Sequence, residues 1–185
     1  GMLDSLEAKG CGLRLGAHRV EDFLEADQII VSPGIPLEIE PLRKAAQKGI
    51  EIVGELEWAW RMTTTPVIAV TGTNGKTTTT SLIGEMLRRA GKQVFVGGNI
   101  GTPLSEWVAS GREADFLVLE VSSFQLDTAP RFCPEIGILL NVTEDHLDRY
   151  DGFSSYADSK LSLFKRQTSS HLAILNGDDP VCTAR

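Results

Sequence analysis

Residues 67–78 read VIAVTGTNGKTT, and few segments restrict a fold as tightly. Val67–Thr71 is apolar and β-branched, which predicts a buried strand. Gly72 and Gly75 then make a short turn, and Lys76 opens a segment with helical spacing. A strand that turns through glycines into a helix points unpaired backbone N–H groups and the positive end of the helix dipole at one spot. Glycines let those amides approach phosphate oxygens closely. Gly72, Thr73, Asn74, Gly75, Lys76, Thr77 and Thr78 are therefore candidate ATP-binding residues, with Lys76 facing the β- and γ-phosphates and the Thr77 hydroxyl placed for Mg²⁺. The match to G-x-x-x-x-G-K-[ST] is imperfect, because its first glycine falls on Val70. The shortened loop G-x-x-G-K-T is also compatible with an ordinary turn before a helix.

The flanking chain repeats the same rhythm. Strands are expected at 27–32, 50–53, 67–71, 93–96, 116–121, 136–140 and 171–175, and helices at 38–47, 55–61, 76–90, 104–109 and 153–164. In the helix over 38–47, Leu42, Ala45 and Ala46 fall on one side; in the helix over 76–90, Ile83, Met86, Leu87 and Ala90 share one face. Alternation of this kind gives an α/β chain with parallel sheets. The polar stretch Thr63-Thr64-Thr65-Pro66 divides it into 1–63 and 64–185, although an ordinary loop would look the same. The fold expected is a partial Rossmann-like N-terminal domain followed by a phosphate-loop-containing parallel-sheet ATPase domain, both truncated.

Charge and composition exclude other classes. The 185 residues carry a net charge of -7, which argues against nucleic acid, where Lys and Arg must neutralise phosphates. No apolar run approaches the roughly 20 residues of a membrane span. The polar, acidic start does not read as a signal peptide, and Gly1-Met2 reads as a cleavage scar ahead of an internal start. Cys11, Cys133 and Cys182 are odd in number and scattered, so neither a disulfide framework nor a metal-ligand spacing is expected. A reduced, cytoplasmic setting follows.

Two polar groups sit where parallel sheets place ligands, beyond the carboxyl ends of strands. Glu120 ends an apolar strand, and its carboxylate is a candidate Mg²⁺ ligand; a solvated strand-end charge is the plainer alternative. Asn141–Arg149 (NVTEDHLDR) follows the strand ending at Leu140, with His146 among ligand-type neighbours. His18 and His171 lack such company and read as structural. Lys160, on the following helix, reads as a surface lysine on spacing alone.

The segments TGTNGKTTT (71–79), GGNIG (97–101), EVSSFQLD (120–127) and LNVTEDHLDRY (140–150) together resemble the Mur ligase family. SSFQL followed by LNVTEDHLDRY resembles its D-glutamate-adding branch, as do IIVSPGIP (29–36) and IEIVGELEW (50–58). The phosphate loop itself is shared with folylpolyglutamate synthases, which stay as the alternative within the superfamily. The resemblance implies ATP-dependent ligation of D-glutamate to UDP-N-acetylmuramoyl-L-alanine through an acyl phosphate, with ATP and Mg²⁺ as cofactors. It implies catalytic roles for Lys76, His146 and Lys160. Thr77 and Glu120 would serve a first Mg²⁺ and His146 a second, with Lys160 carbamylated in support. Substrate contacts would come from Ser32, Pro33, Gly34, Asn99, Ser122, Ser123 and Gln125. It further implies a glycine-rich half ahead of Leu3, a continuation past Arg185 and a third domain for D-glutamate. The isolated chain would then be a nucleotide- or substrate-binding module without turnover. An unpaired sheet edge would invite self-association, whereas the parent enzyme is expected to be a monomer.

Overall fold

A computed structural model describes residues 1–145 and 149–183. In chain order the elements are α1 (Met2–Ala8), α2 (Val20–Leu24), β1 (Gln28–Val31), α3 (Glu40–Gln47), β2 (Glu51–Gly54), α4 (Glu55–Trp60), β3 (Val67–Thr71), α5 (Lys76–Arg89), β4 (Val94–Gly98), α6 (Leu104–Ala109), β5 (Phe116–Glu120), α7 (Ser123–Asp127), β6 (Ile136–Leu139), α8 (Phe153–Leu161), β7 (Leu172–Leu175) and α9 (Pro180–Thr183). Strands β1 and β2 pair with each other, and the other five form one sheet in the order β4-β5-β3-β6-β7. Every pairing in that sheet is parallel. The α/β expectation holds.

The chain separates into two compact units, 1–29 with 35–52 and 30–34 with 53–183 among the described residues. In the first, α2 packs on α3, and Pro41, Leu42 and Ala45 are the buried residues of α3. Ala46 is exposed, so the buried side lies one residue earlier than its spacing suggested. Proline in the first turn removes an N–H that would have no helical partner and pre-sets φ.

The second unit is layered about β3, the central strand. All five residues of β3 are buried, and their alternation supplies two faces. Val67 and Ala69 join Leu56, Ala59, Leu104 and Trp107 on one side. Ile68 and Val70 join Val118 and Ile138 on the other, under Ile83 and Leu87 of α5. Residues 53–63, read from sequence with the first domain, pack here because α4 inserts Leu56 and Ala59 into this core.

Helix α5 turns a different stripe inward than its apolar residues suggest. Thr80, Ile83, Gly84 and Leu87 face the sheet, whereas Ala90 is exposed and Met86 is 61% exposed. Gly84 sets this rotation: a Cβ there would lie 2.4 Å from Val96 Cγ2, so only glycine permits so close an approach. The expected helix over 153–164 is α-helical to Leu161 and tightens into a 3-10 turn over Ser162–Phe164. Helices α1, α2, α7 and α9 were not expected; each has seven residues or fewer. Among the described residues no helix is long and apolar enough to cross a membrane.

Candidate active site

The carboxyl ends of β3, β5 and β6 converge on the loop between β3 and α5. Gly72 leaves the strand at φ +151°, and a Cβ there would press on Leu140 and the Asn141 backbone at 3.1–3.4 Å. Gly75 caps α5 in the left-handed region at φ +81°. No side chain caps this 14-residue helix and no acid occupies its first turn. Its N-terminal amides are thus left without a side-chain acceptor, the arrangement that receives an anion. The loop is braced from β6. Thr73 N donates to Asn141 O (3.0 Å), Asn74 N to Asn141 Oδ1 (2.8 Å), and Asn141 Nδ2 back to Asn74 O (3.0 Å). Asn141 thus holds the loop from both sides. Thr73 Oγ1 also lies 3.2 Å from the Tyr156 hydroxyl and accepts from Thr143 N at 3.0 Å.

Glu120 ends β5 at 2% exposure. Thr77 Oγ1 donates to its Oε2 (2.7 Å) and Asn99 Nδ2 to its Oε1 (2.9 Å). Both donors are neutral, and a carboxylate this deep ordinarily needs a compensating cation. Hard oxygen donors of this kind suit Mg²⁺, which keeps much of its water and takes one or two carboxylates. Among the described residues no group of three or more His, Cys, Asp or Glu gathers. Thr77 and Glu120 therefore fit the ion expected of them; His146 lies outside the described residues.

Two lysines face this region. Lys76 Nζ donates to Thr73 O at 2.9 Å. Lys160 is 2% exposed; its Nζ donates to Gly72 O at 2.9 Å and stands 4.6 Å from the centre of the Tyr156 ring. Burial, then the nearby charge of Lys76, lower the Lys160 ammonium to about 8; Asp145 and Asp127 oppose the shift. The expectation of a surface lysine fails, because α8 turns Lys160 inward over Gly72.

Lys76, Lys160, Tyr156, Asp145, Ser122 and Ser123 line a cavity of about 140 Å³, together with Asn99 and Phe124. A second cavity of about 360 Å³ is lined by Ser32, Pro33, Glu55, Gln125 and, again, Asn99. Asn99 thus borders both cavities while holding Glu120. Gly34 does not line either of the two. Ser122 and Gln125 form a reciprocal capping box that starts α7, with Gln125 Oε1 accepting from Ser122 N at 3.0 Å. That box, S-x-x-Q, was the sequence signal for α7. Asn141 and Tyr156 had no comparable signal, since their partners are 67 and 83 residues away.

Comparison with known proteins agrees with this geometry. The model of the Mur ligase middle domain matches residues 70–185, and that of the Mur ligase MurD-like N-terminal domain matches residues 1–54. The UDP-N-acetylmuramoylalanine–D-glutamate ligase of Desulfosudis oleivorans is 54% identical over 170 residues, 92% of this chain and 37% of the relative. That of Geotalea uraniireducens is 48% identical over 183 residues, 99% of this chain and 40% of the relative. The chain thus spans well under half of these curated relatives. Among solved structures, a UDP-N-acetylmuramate:L-alanyl-gamma-D-glutamyl-meso-diaminopimelate ligase from Neisseria meningitides aligns with a TM-score of 0.58 at 20% identity, over 97% of this chain and 61% of that one. A folylpolyglutamate synthase from Mycobacterium tuberculosis aligns at 0.52 and 13% identity, over 66% of this chain and 40% of that one, so the fold alone is common to both kinds of ligase. With the middle-domain model covering the phosphate loop and most of the chain beyond it, this protein belongs to the Mur ligase family.

Proposed function

We propose that these residues carry the ATP site and part of the sugar-nucleotide site of a ligase that joins D-glutamate to UDP-N-acetylmuramoyl-L-alanine in the cytoplasm. The carrying observation is Asn99, which borders both cavities and fixes Glu120 beside Thr77. In sequence the first domain of such an enzyme would extend to residue 63 and the ATP domain begin at 64, with 30–34 and 53–63 packing in the same compact unit as the ATP domain. Similarity of about half the residues to ligases named for this reaction favours it over a folylpolyglutamate-type reading.

The chemical problem is to bring two anions together. A carboxylate oxygen of the alanyl group attacks the γ-phosphorus of ATP, the bond to the β,γ-bridging oxygen breaks, and ADP leaves. The D-glutamate amine then attacks the acyl carbon, loses a proton and expels phosphate as the amide forms. Positive charge and oriented amides at the junction lower both barriers. Lys76 and the first-turn amides of α5, at Thr77 and Thr78, hold the phosphates, with Gly72, Thr73, Asn74 and Gly75 shaping the loop. Thr77 and Glu120 would hold Mg²⁺, which supplies charge beside the triphosphate. By resemblance His146 would hold a second ion. Lys160, neutral in an appreciable fraction near pH 8, is suited to carbamylation, which needs the free amine. Ser32, Pro33, Gly34, Asn99, Ser122, Ser123 and Gln125 are assigned to the sugar-nucleotide substrate.

The chain spans about two fifths of the length of its curated relatives, so the whole reaction is proposed for the ligase that contains these residues. Phosphate release with ATP, Mg²⁺ and UDP-N-acetylmuramoyl-L-alanine tests it. Release that requires D-glutamate is expected from a full-length ligase containing these residues. Release that ignores D-glutamate but follows a folate substrate would overturn it.

A further inference from the structure

The loop Ser32-Pro33-Gly34 is exposed, and Gly34 stands at φ +114° with nothing within 4 Å of where its Cβ would be. Packing of Gly34 alone does not fix the loop. Arg149 reaches it across 115 residues of sequence: its Nη2 donates to Gly34 O at 3.0 Å. The same guanidinium lies 5.1 Å from the centre of the Phe124 ring. Phe124 belongs to α7, between Ser123 and Gln125, and it also stacks on Tyr150, nearly parallel (4°) at 5.8 Å. The Tyr150 hydroxyl donates to Asp127 Oδ2 at 2.7 Å, at the end of the same helix. Tyr150 also packs against Tyr156 at 5.3 Å, and Tyr156 touches Thr73 of the phosphate loop.

We propose that Arg149 is a positioning residue that straps the Ser32–Gly34 loop to helix α7, so that the loop is preformed for the sugar-nucleotide substrate. This rests on the substrate reading given above. A planar guanidinium can lie on an aromatic face while its edge donates to a carbonyl; an ammonium cannot do both. Preforming a loop removes its ordering cost from the binding step. The strap acts on the sugar-nucleotide site and leaves the phosphate loop, which Asn141 braces independently, unchanged.

Hydrogen exchange and calorimetry on the 185-residue chain test this with Arg149→Ala and Arg149→Lys. In Arg149→Ala, amides over 32–35 are expected to exchange about tenfold faster, as the loss of one charged hydrogen bond implies. Those over 71–79 keep their rate and report that the fold is intact. Affinity for UDP-N-acetylmuramoyl-L-alanine is expected to fall about tenfold while ATP affinity stays within about twofold. Arg149→Lys behaves as the alanine variant in both measurements. Unchanged exchange over 32–35 in Arg149→Ala would overturn the strap. So would full recovery of affinity in Arg149→Lys without slower loop exchange, which would make Arg149 a charge contact to the ligand. If the unmodified chain binds no UDP-N-acetylmuramoyl-L-alanine, the substrate reading fails, and exchange still decides the strap.

Discussion

The two ends of the five-stranded sheet use charge in opposite ways. At the amino ends, acids accept from backbone N–H groups: Glu135 from Val67 N, Asp115 from Gln93 N at 2.8 Å, and Glu57 from Arg131 N at 3.0 Å. Glu57 is fully buried and also holds the Arg61 guanidinium at 2.7 Å. His171 sits at this end too, its Nε2 3.5 Å from Cys133 Sγ and its Nδ1 accepting from Thr168 N at 3.1 Å. At the carboxyl ends, Glu120 rests on two neutral side chains, and Lys76 and Lys160 donate to loop carbonyls. Groups at the first end complete the fold. Groups at the second keep charge that a ligand can exchange for, which is how a site differs from a brace.

Variants can break that contrast. At the carboxyl end, Glu120→Ala should weaken Mg²⁺-dependent nucleotide binding by about 10- to 100-fold with little change in stability. Calorimetry and a urea melt of the same sample check both halves. A large stability loss with intact binding would place Glu120 with the braces. Glu57→Ala should do the reverse. It removes a buried acceptor of the Arg61 guanidinium and of the Arg131 amide and is expected to cost about 3 kcal/mol in the urea melt, with unchanged nucleotide affinity.

A smaller effect concerns pH. The folded-state value of Lys160, about 8, lies below the ordinary 10.5. Between those values the unfolded chain binds more protons, so this group makes stability rise from about pH 8 towards 10.5 and contributes no slope below 8. Lys160→Met should remove the rise, as urea midpoints across that range would show. A slope that persists unchanged in the variant would assign it to another group.

The carboxyl-end half of this contrast was legible beforehand, for physical reasons. Strands β3 and β5 read clearly because burial on both faces makes them continuous apolar runs. The turn from β3 into α5 read clearly because its glycines and the lysine and threonines that open the helix are contiguous. The inward face of α5 was misread, since Gly84 and Thr80 line it while Met86 points out, and apolar periodicity cannot register a close approach. Helix α7 was missed although its capping box was present, because five residues hold no period. The braces Asn141 and Tyr156, and the inward turn of Lys160, depend on contacts between distant segments, which spacing does not encode. Glu120 could be placed at a strand end, but its hold by Asn99 needed the return of β4 beside β5.

The central claim is that the carboxyl end of the sheet is a triphosphate site. Calorimetric titration of the 185-residue chain with ATP and Mg²⁺, beside Lys76→Ala, tests it most directly. Lys76 is only partly buried and bonds to its own loop, so its loss should leave the fold intact. The account predicts saturable binding that the variant loses by at least about 100-fold, on the scale of a paired charge–phosphate contact. Equal affinity in the two chains, both cooperatively folded, would contradict it.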